Sequence, residues 1–229
     1  MSLSLTPHRV LTEELLDEHD APENEMVRSL RDLRKFNSLA GGARAYVAML
    51  ARLVPHRDAR AVILDLGTGA SDLLEAVRRR WPRATAIGLD RNLRHLTYGR
   101  DTGDKEVRRL AADAFHLPFR DGSVDLVASS HFFHHFTVEE NQAIVRESLR
   151  VARVGVAFTD TRRHYAPLFF VRLLGALRLV GPITRFDAPA SVLRSYTLNE
   201  MRDFAQSLGA GRAEVFRLMP FRFALMVRR

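Results

Sequence analysis

From residue 61 onward the chain alternates short apolar runs with stretches of helical periodicity. Residues 61–66 form an apolar run interrupted only by Asp65, long enough for a buried strand and too short for a helix. Residues 72–81 read as a helix stopped by Pro82, and 85–89 as a second strand closed by Asp90. A helix over 92–100 and a weaker third strand over 107–111 follow, then a fourth, apolar strand over 124–129. Residues 138–152 are helical, with Ile144, Val145 and Leu149 on one side, and 154–159 make a fifth strand. Such alternation predicts βαβ units and a parallel sheet covered by helices on both faces.

The chain before and after this region has a different pattern. Residues 11–19 are short and acidic. Ala21-Pro-Glu-Asn-Glu reads as a helix start, with Pro22 near the first turn and acids favouring the dipole. Met26, Leu30, Leu33 and Phe36 then repeat at helical spacing until Asn37 and Gly41-Gly42 end or bend the helix. Residues 44–54 are a second helix, stopped by Pro55. Beyond residue 160 the alternation stops. Residues 168–180 are apolar but carry Arg172 and Arg178 and are too short to span a bilayer. Residues 182–195 read as a loop. Thr197-x-x-Glu200 has capping-box form and opens a helix ended by Gly209 and Gly211. Residues 213–218 and 222–227 are two strands joined at Met219-Pro-Phe, an antiparallel hairpin at the end of the sheet. The domain plan is a helical N-terminal cap over 1–60 and a sheet domain over 61–229, with an insertion at about 162–196.

Composition narrows the classes. Hydrophobic residues make up 46% of the 229, enough for a sizeable core. There is no cysteine, which excludes disulfides, thiolate metal sites and a cysteine nucleophile, and is compatible with a reducing cytoplasm. The first residues, Met1 to Arg9, lack the charged-then-apolar pattern of a signal peptide. The net charge of +8 comes almost wholly from arginine, Lys35 and Lys105 being the only lysines. The arginines are scattered, whereas a nucleic-acid footprint is concentrated on one face.

The candidate chemistry starts where the first strand ends. Asp65-x-Gly67-x-Gly69-x-Ser71 breaks the apolar run and feeds a helix, so free N–H groups point at a ligand and glycines let backbone approach it. Asp72 stands where the third glycine of a dinucleotide fingerprint would be, which disfavours a pyrophosphate and an NAD-dependent dehydrogenase. Asp90 closes the second strand, Ala112-Asp113 follows the third, and Leu117-Pro-Phe and Asp121-Gly-Ser-Val-Asp-Leu-Val precede and enter the fourth.

In these elements the chain resembles a class I S-adenosylmethionine-dependent methyltransferase, over about residues 61–160 and again in the terminal hairpin. It is most similar to small-molecule methyltransferases of quinone biosynthesis. The stretch from Asp20-Ala-Pro-Glu to Gly41-Gly42 also looks like methyltransferases of bacterial polyketide or phenolic-lipid pathways. Ser71 at the family's usual third glycine and Ala152-Arg-Val-Gly155 before the fifth strand depart from the pattern. The resemblance implies a Rossmann-like, mostly parallel seven-stranded α/β sheet with an antiparallel C-terminal hairpin. It implies S-adenosylmethionine as cofactor, S-adenosylhomocysteine as product and no metal. The cofactor residues would be Asp65, Gly67, Thr68, Gly69, Asp90, Arg91, Asp113, Ala114, Ser130 and His131. Asp65 would stand near the ammonium group, Asp90 would accept both ribose hydroxyls, and Asp113 the adenine amine, with Phe115 or Leu89 against the ring.

After the fourth strand comes Ser129-Ser-His-Phe-Phe-His-His-Phe136. His131 is the candidate for a pocket wall. His134 and His135 are the candidates for the acceptor side, one of them as a general base, with packing as the alternative. No acid nearby in the sequence completes a metal set. The apolar segment 165–180 is core or a lid over a greasy acceptor, the lid being favoured, and Arg162, Arg163 and His164 could meet a polar end of that acceptor. The expected reaction is methyl transfer to a small hydrophobic or phenolic acceptor, oxygen favoured. An RNA methyltransferase and a non-catalytic partner subunit are the alternatives. DNA is disfavoured, since no Asn/Asp-Pro-Pro-aromatic stretch follows the fourth strand. The sequence leaves the oligomeric state open.

Overall fold

The computed structural model describes residues 6–17, 21–209 and 213–229. The expectations for residues 1–5, for 18–20 and for Gly211 lie outside them.

The apolar runs become seven strands: β1 (Val62–Leu66), β2 (Thr85–Asp90), β3 (Arg108–Ala111), β4 (Val124–Ser130), β5 (Ala152–Thr161), β6 (Ala213–Leu218) and β7 (Arg222–Arg228). They form one sheet in the order β3-β2-β1-β4-β5-β7-β6. β1 to β5 pair in parallel, and β7 runs antiparallel to both β5 and β6. The expected doubly covered α/β sheet with its terminal hairpin is therefore what the chain builds.

Among the described residues eight α-helices accompany the strands: α1 (Glu23–Leu39), α2 (Gly42–Leu50), α3 (Asp72–Arg80), α4 (Leu93–Thr102), α5 (Val138–Val151), α6 (Tyr165–Ala176), α7 (Pro182–Arg194) and α8 (Leu198–Ser207). Successive strand residues point to opposite faces, so each central strand feeds two cores. On one face Ile63, Leu126, Ala157 and Met226 meet Tyr46, Met49 and Leu50 of α2, Leu74 of α3, and Trp81. On the other, Leu64, Val127, Phe158 and Leu225 meet Ile144 and Val145 of α5 and Met201 and Phe204 of α8. α2 is thus part of the sheet's own core, while α1 packs against α7.

Helix ends follow local chemistry. Thr197 and Glu200 form the expected capping box of α8, and Thr137 with Glu140 forms a second one at α5. α5 passes into β5 with no turn residue between them, which accounts for the missing glycine pair. One expectation is corrected: 182–195 is not a loop but α7. Pro182 sits at its first position, where a missing N–H is harmless. Pro189 lies inside it, and the helix holds because Ile183, Thr184, Asp187, Ala190 and Val192 are buried. Among the described residues no helix is long and apolar enough to cross a membrane.

Candidate active site

β1 and β4 are sheet neighbours, but the helices that follow them lie on opposite faces. A crevice opens at the carboxyl ends of such a pair. Its floor is the turn after β1. Gly67 has φ +61° there, and a Cβ on it would stand 2.3 Å from Cδ2 of Phe132. Ser71 takes φ +64° with a side chain, and Gly88 makes room for it: a Cβ on Gly88 would lie 2.9 Å from Ser71 Oγ.

The carboxylates around the turn divide into two sets. The Asp65 carboxylate is buried beneath it, accepting from the Tyr46 hydroxyl (2.6 Å) and the Thr68 hydroxyl (2.8 Å). Burial pushes the Asp65 pKa up to about 7 against the pull of those two donors. Asp72 is turned toward α1, accepting from Asn37 Nδ2 at 3.0 Å, so the acid at the start of α3 ties two helices together. By contrast Asp90 faces the crevice. Its Oδ2 accepts the Gly69 N–H (2.8 Å) and its Oδ1 the Asn92 N–H (2.9 Å). Each oxygen keeps a further acceptor position. Asp113 holds the next turn by accepting the Phe115 N–H at 2.9 Å, and Phe115 packs edge-to-face on Phe136.

The three histidines have unlike surroundings. His134 is buried, with Nδ1 2.8 Å from Asp160 Oδ2 and Nε2 3.2 Å from Glu14 Oε1. Burial alone would lower its pKa, but Asp160 and Glu14 outweigh it and raise it to about 10. His134 is therefore an imidazolium that donates from both nitrogens and has no lone pair for base chemistry. Burial also opposes ionisation of Asp160, yet His134 beside it holds that carboxyl well below the usual range. His131, in left-handed backbone at φ +54°, has Nδ1 3.6 Å from Asp160 Oδ1. Burial, reinforced by Arg222, lowers its pKa to about 3, so its ring is neutral. His135 pairs with Asp17 across 2.9 Å.

Glu14 and Asp17 are the site residues that sequence reasoning missed; the only signal was the acidic character of 11–19. The segment is tied down at several points. Val10 N–H donates to Leu193, and the Leu15 and Leu16 N–H groups donate to the Asp187 carboxylate. Arg194 donates to the Thr12, His134 and His135 carbonyls, and Arg163 to the Pro7 carbonyl. Arg163 is thus a buried strut, and none of Arg162, Arg163 and His164 lines the cavity.

The cavity measures about 470 Å³, within the range of small-molecule sites. Of the residues expected at the cofactor, Gly67, Gly69, Asp90, Arg91, Asp113, Ala114 and His131 are on its wall, as are His134 and His135. Asp65, Thr68 and Ser130 are buried and do not line it. α7 contributes Thr184, Asp187, Ser191 and Arg194, whereas no residue of 165–180 reaches it. The expectation that no acid completes a metal set near the histidines is corrected. Glu14–His134–His135 and His131–His134–Asp160 each bring ligand atoms within 4.8 Å. Both sets depend on His134, whose two nitrogens are already occupied by carboxylates.

A family profile described as a methyltransferase domain matches residues 64–159, from within β1 to within β5. That span holds the turn, Asp90, Asp113 and the histidines. Over these residues the chain is thus similar to a methyltransferase domain. The chain is 36% identical over 109 residues to demethylmenaquinone methyltransferase of Roseiflexus castenholzii, covering 46% of this chain and 44% of that one. It is 38% identical over 79 residues to malonyl-[acyl-carrier protein] O-methyltransferase of Geobacter sulfurreducens, covering 34% and 30%. The chain spans less than half the length of the curated relatives it matches. Likeness of fold extends further: a SAM-dependent methyltransferase from Aquifex aeolicus superposes with a TM-score of 0.62 at 18% identity, over 88% of this chain and 97% of that one.

Proposed function

We propose that this chain binds S-adenosylmethionine at the carboxyl edge of β1, β2 and β3 and passes its methyl group to an oxygen of a small hydrophobic or phenolic acceptor. The observation that carries the reading is Asp90: a carboxylate at a strand end, anchored by the Gly69 and Asn92 N–H groups, with an acceptor position spare on each oxygen. Two vicinal ribose hydroxyls match those positions. Gly67 and Gly69 leave backbone bare for the amino-acid end of the cofactor. Leu89 and Phe115 offer apolar faces to a purine beside Asp113. Carboxylates of Glu14, Asp17, Asp90 and Asp113 on the wall suit a ligand with positive charge.

When bound, the cofactor supplies an electrophilic methyl group on a positive sulfur. The chain's own residues align the acceptor and exclude water. His131 is neutral, and a proton on Nδ1 facing Asp160 leaves Nε2 as an acceptor. It takes the hydroxyl proton as methyl transfer proceeds; the acidity of that proton rises as the new bond forms, so a weak base suffices. His134, as an imidazolium, holds the N-terminal segment and β5 together around this centre. The segment 162–196 serves as the acceptor cap, with α7 as its inner wall. Relatives named for demethylmenaquinone and for a malonyl carrier protein support an acceptor that is small at the reacting end and attached to something larger. Quinone-type or phenolic-lipid metabolism in the cytoplasm is the setting this implies.

Calorimetric titration with S-adenosylhomocysteine, with NAD as control, tests the reading. Micromolar binding of the first and none of the second is expected. Binding of neither overturns it and directs attention to a partner protein.

A further inference from the structure

α6 presents its apolar side to solvent. Of its twelve residues only Leu168 and Gly175 are buried. Phe169, Leu173 and Leu177, spaced i, i+4 and i+8, form a stripe along the outside, 68%, 42% and 59% exposed. Phe170 flanks the stripe, and Leu179 and Phe186 continue it past the helix end. A helix on the surface of a globular protein ordinarily has the opposite arrangement. Half of the large exposed hydrophobic side chains among the described residues fall within 165–186. Single exposed apolar residues need no explanation, but a contiguous patch marks an interaction surface.

The charge around the patch is one-sided. From Thr161 to Phe186 there is no Asp or Glu, while Arg162, Arg163, Arg172, Arg178 and Arg185 fall in that stretch. Arg163 is buried and paired with Glu200. Arg172, Arg178 and Arg185 are exposed, and none forms an ion pair with a described residue. On the helical wheel Arg172 borders the apolar stripe rather than interrupting it. Arg178 takes φ +55°, the left-handed position that closes the helix, where glycine is the usual residue.

We propose that α6 and the turn into α7 dock on an anionic lipid bilayer, with the Phe and Leu side chains in the headgroup boundary and the arginines on acidic headgroups. Twelve residues at 1.5 Å each are too short to cross the hydrocarbon core, so the helix lies in the plane of the interface. A second copy of the chain fits less well, because a two-fold contact through this face would bring the same unpaired arginines together. The inner side of α7 lines the cavity and its outer side carries α6, so docking sets the cavity wall one helix away from the bilayer. The docking surface is read from exposure and charge alone. That the docked protein takes its acceptor from the bilayer rests on the methyl-transfer reading above.

Co-sedimentation with vesicles of phosphatidylcholine, with and without one-third phosphatidylglycerol, tests the docking. Wild type is expected to partition at least tenfold more strongly onto the anionic vesicles, and less as salt is raised. F169S/L173S/L177S should lose at least tenfold of that binding, and R172E/R178E/R185E should lose the preference for anionic lipid. S-adenosylhomocysteine titration of the same variants separates the two readings, since neither set of substitutions touches the cavity. Cofactor binding without vesicle binding overturns the docking alone. So does vesicle binding that the triple serine variant retains, or a dimer in light scattering that this variant dissociates while vesicles are ignored.

Discussion

His134 donates from Nδ1 to the Asp160 carboxylate across 2.8 Å, with both side chains buried. Glu14 closes the other end of the ring, so one imidazolium joins β5 to the N-terminal segment. Removing the cation strands two buried carboxylates. His134→Ala is expected to cost about 3–5 kcal/mol in urea unfolding. A loss under about 1 kcal/mol would refute the charged bridge.

The same bridge sets a pH dependence. The folded pKa of His134, about 10, lies above its ordinary 6.5, so its stabilisation is full below 6.5 and is lost as pH rises through 10. Asp160 is shifted down from 3.8, so its contribution is full above that value and is lost on acidification. The bridge's contribution, read as the urea midpoint of wild type minus that of His134→Ala, should therefore be full between about pH 4 and 6.5 and smaller on either side. In His134→Ala the decline between about pH 8 and 10 should disappear, while that of buried Asp65 up to about pH 7 remains.

The histidines should titrate far apart. Proton NMR of the imidazole rings is expected to show His131 neutral down to about pH 4 and His134 protonated up to about pH 9, following their pKa values of about 3 and about 10. A His131 titration near 6.5 would refute the lowering that burial and Arg222 impose on it.

Asp90 should dominate cofactor affinity. Asp90→Ala removes the acceptor of the Gly69 and Asn92 N–H groups and, in the cofactor placement proposed above, that of two ribose hydroxyls. At about 1.5–3 kcal/mol for hydrogen bonds to a charged group, S-adenosylhomocysteine binding should weaken by roughly 10- to 150-fold in calorimetry. Unchanged affinity would displace the cofactor from this wall.

The turn after β1 offers a double-mutant test. Gly67→Ala puts a Cβ 2.3 Å from Phe132 and holds it at φ +61°. Backbone strain of this kind costs about 1–3 kcal/mol. Phe132→Ala in the same chain should relieve the clash but not the strain, giving a favourable coupling energy in the thermal-denaturation cycle.

The sheet and the acids and glycines at the carboxyl ends of its strands were legible in the chain because their causes are local. A six-residue apolar run, a glycine turn and an acid at each strand end act within a few residues of one another, and parallel pairing fixes where those ends meet. Ala61, Gly67, Asp90 and Asp113 could therefore be placed in order before any fold was known. α7 was less legible, since Pro182 and Pro189 read as breakers and its helical state rests on burial against α1 and α6. The side of the wall on which 165–180 would lie was also undecided by periodicity, which shows that a face is apolar but not what it meets. The role of His134 was decided by tertiary structure alone. Its partners stand 120 and 26 residues away, at Glu14 and Asp160. Only folding brings those charges into a dry interior, where their field outweighs the burial that would otherwise neutralise the ring.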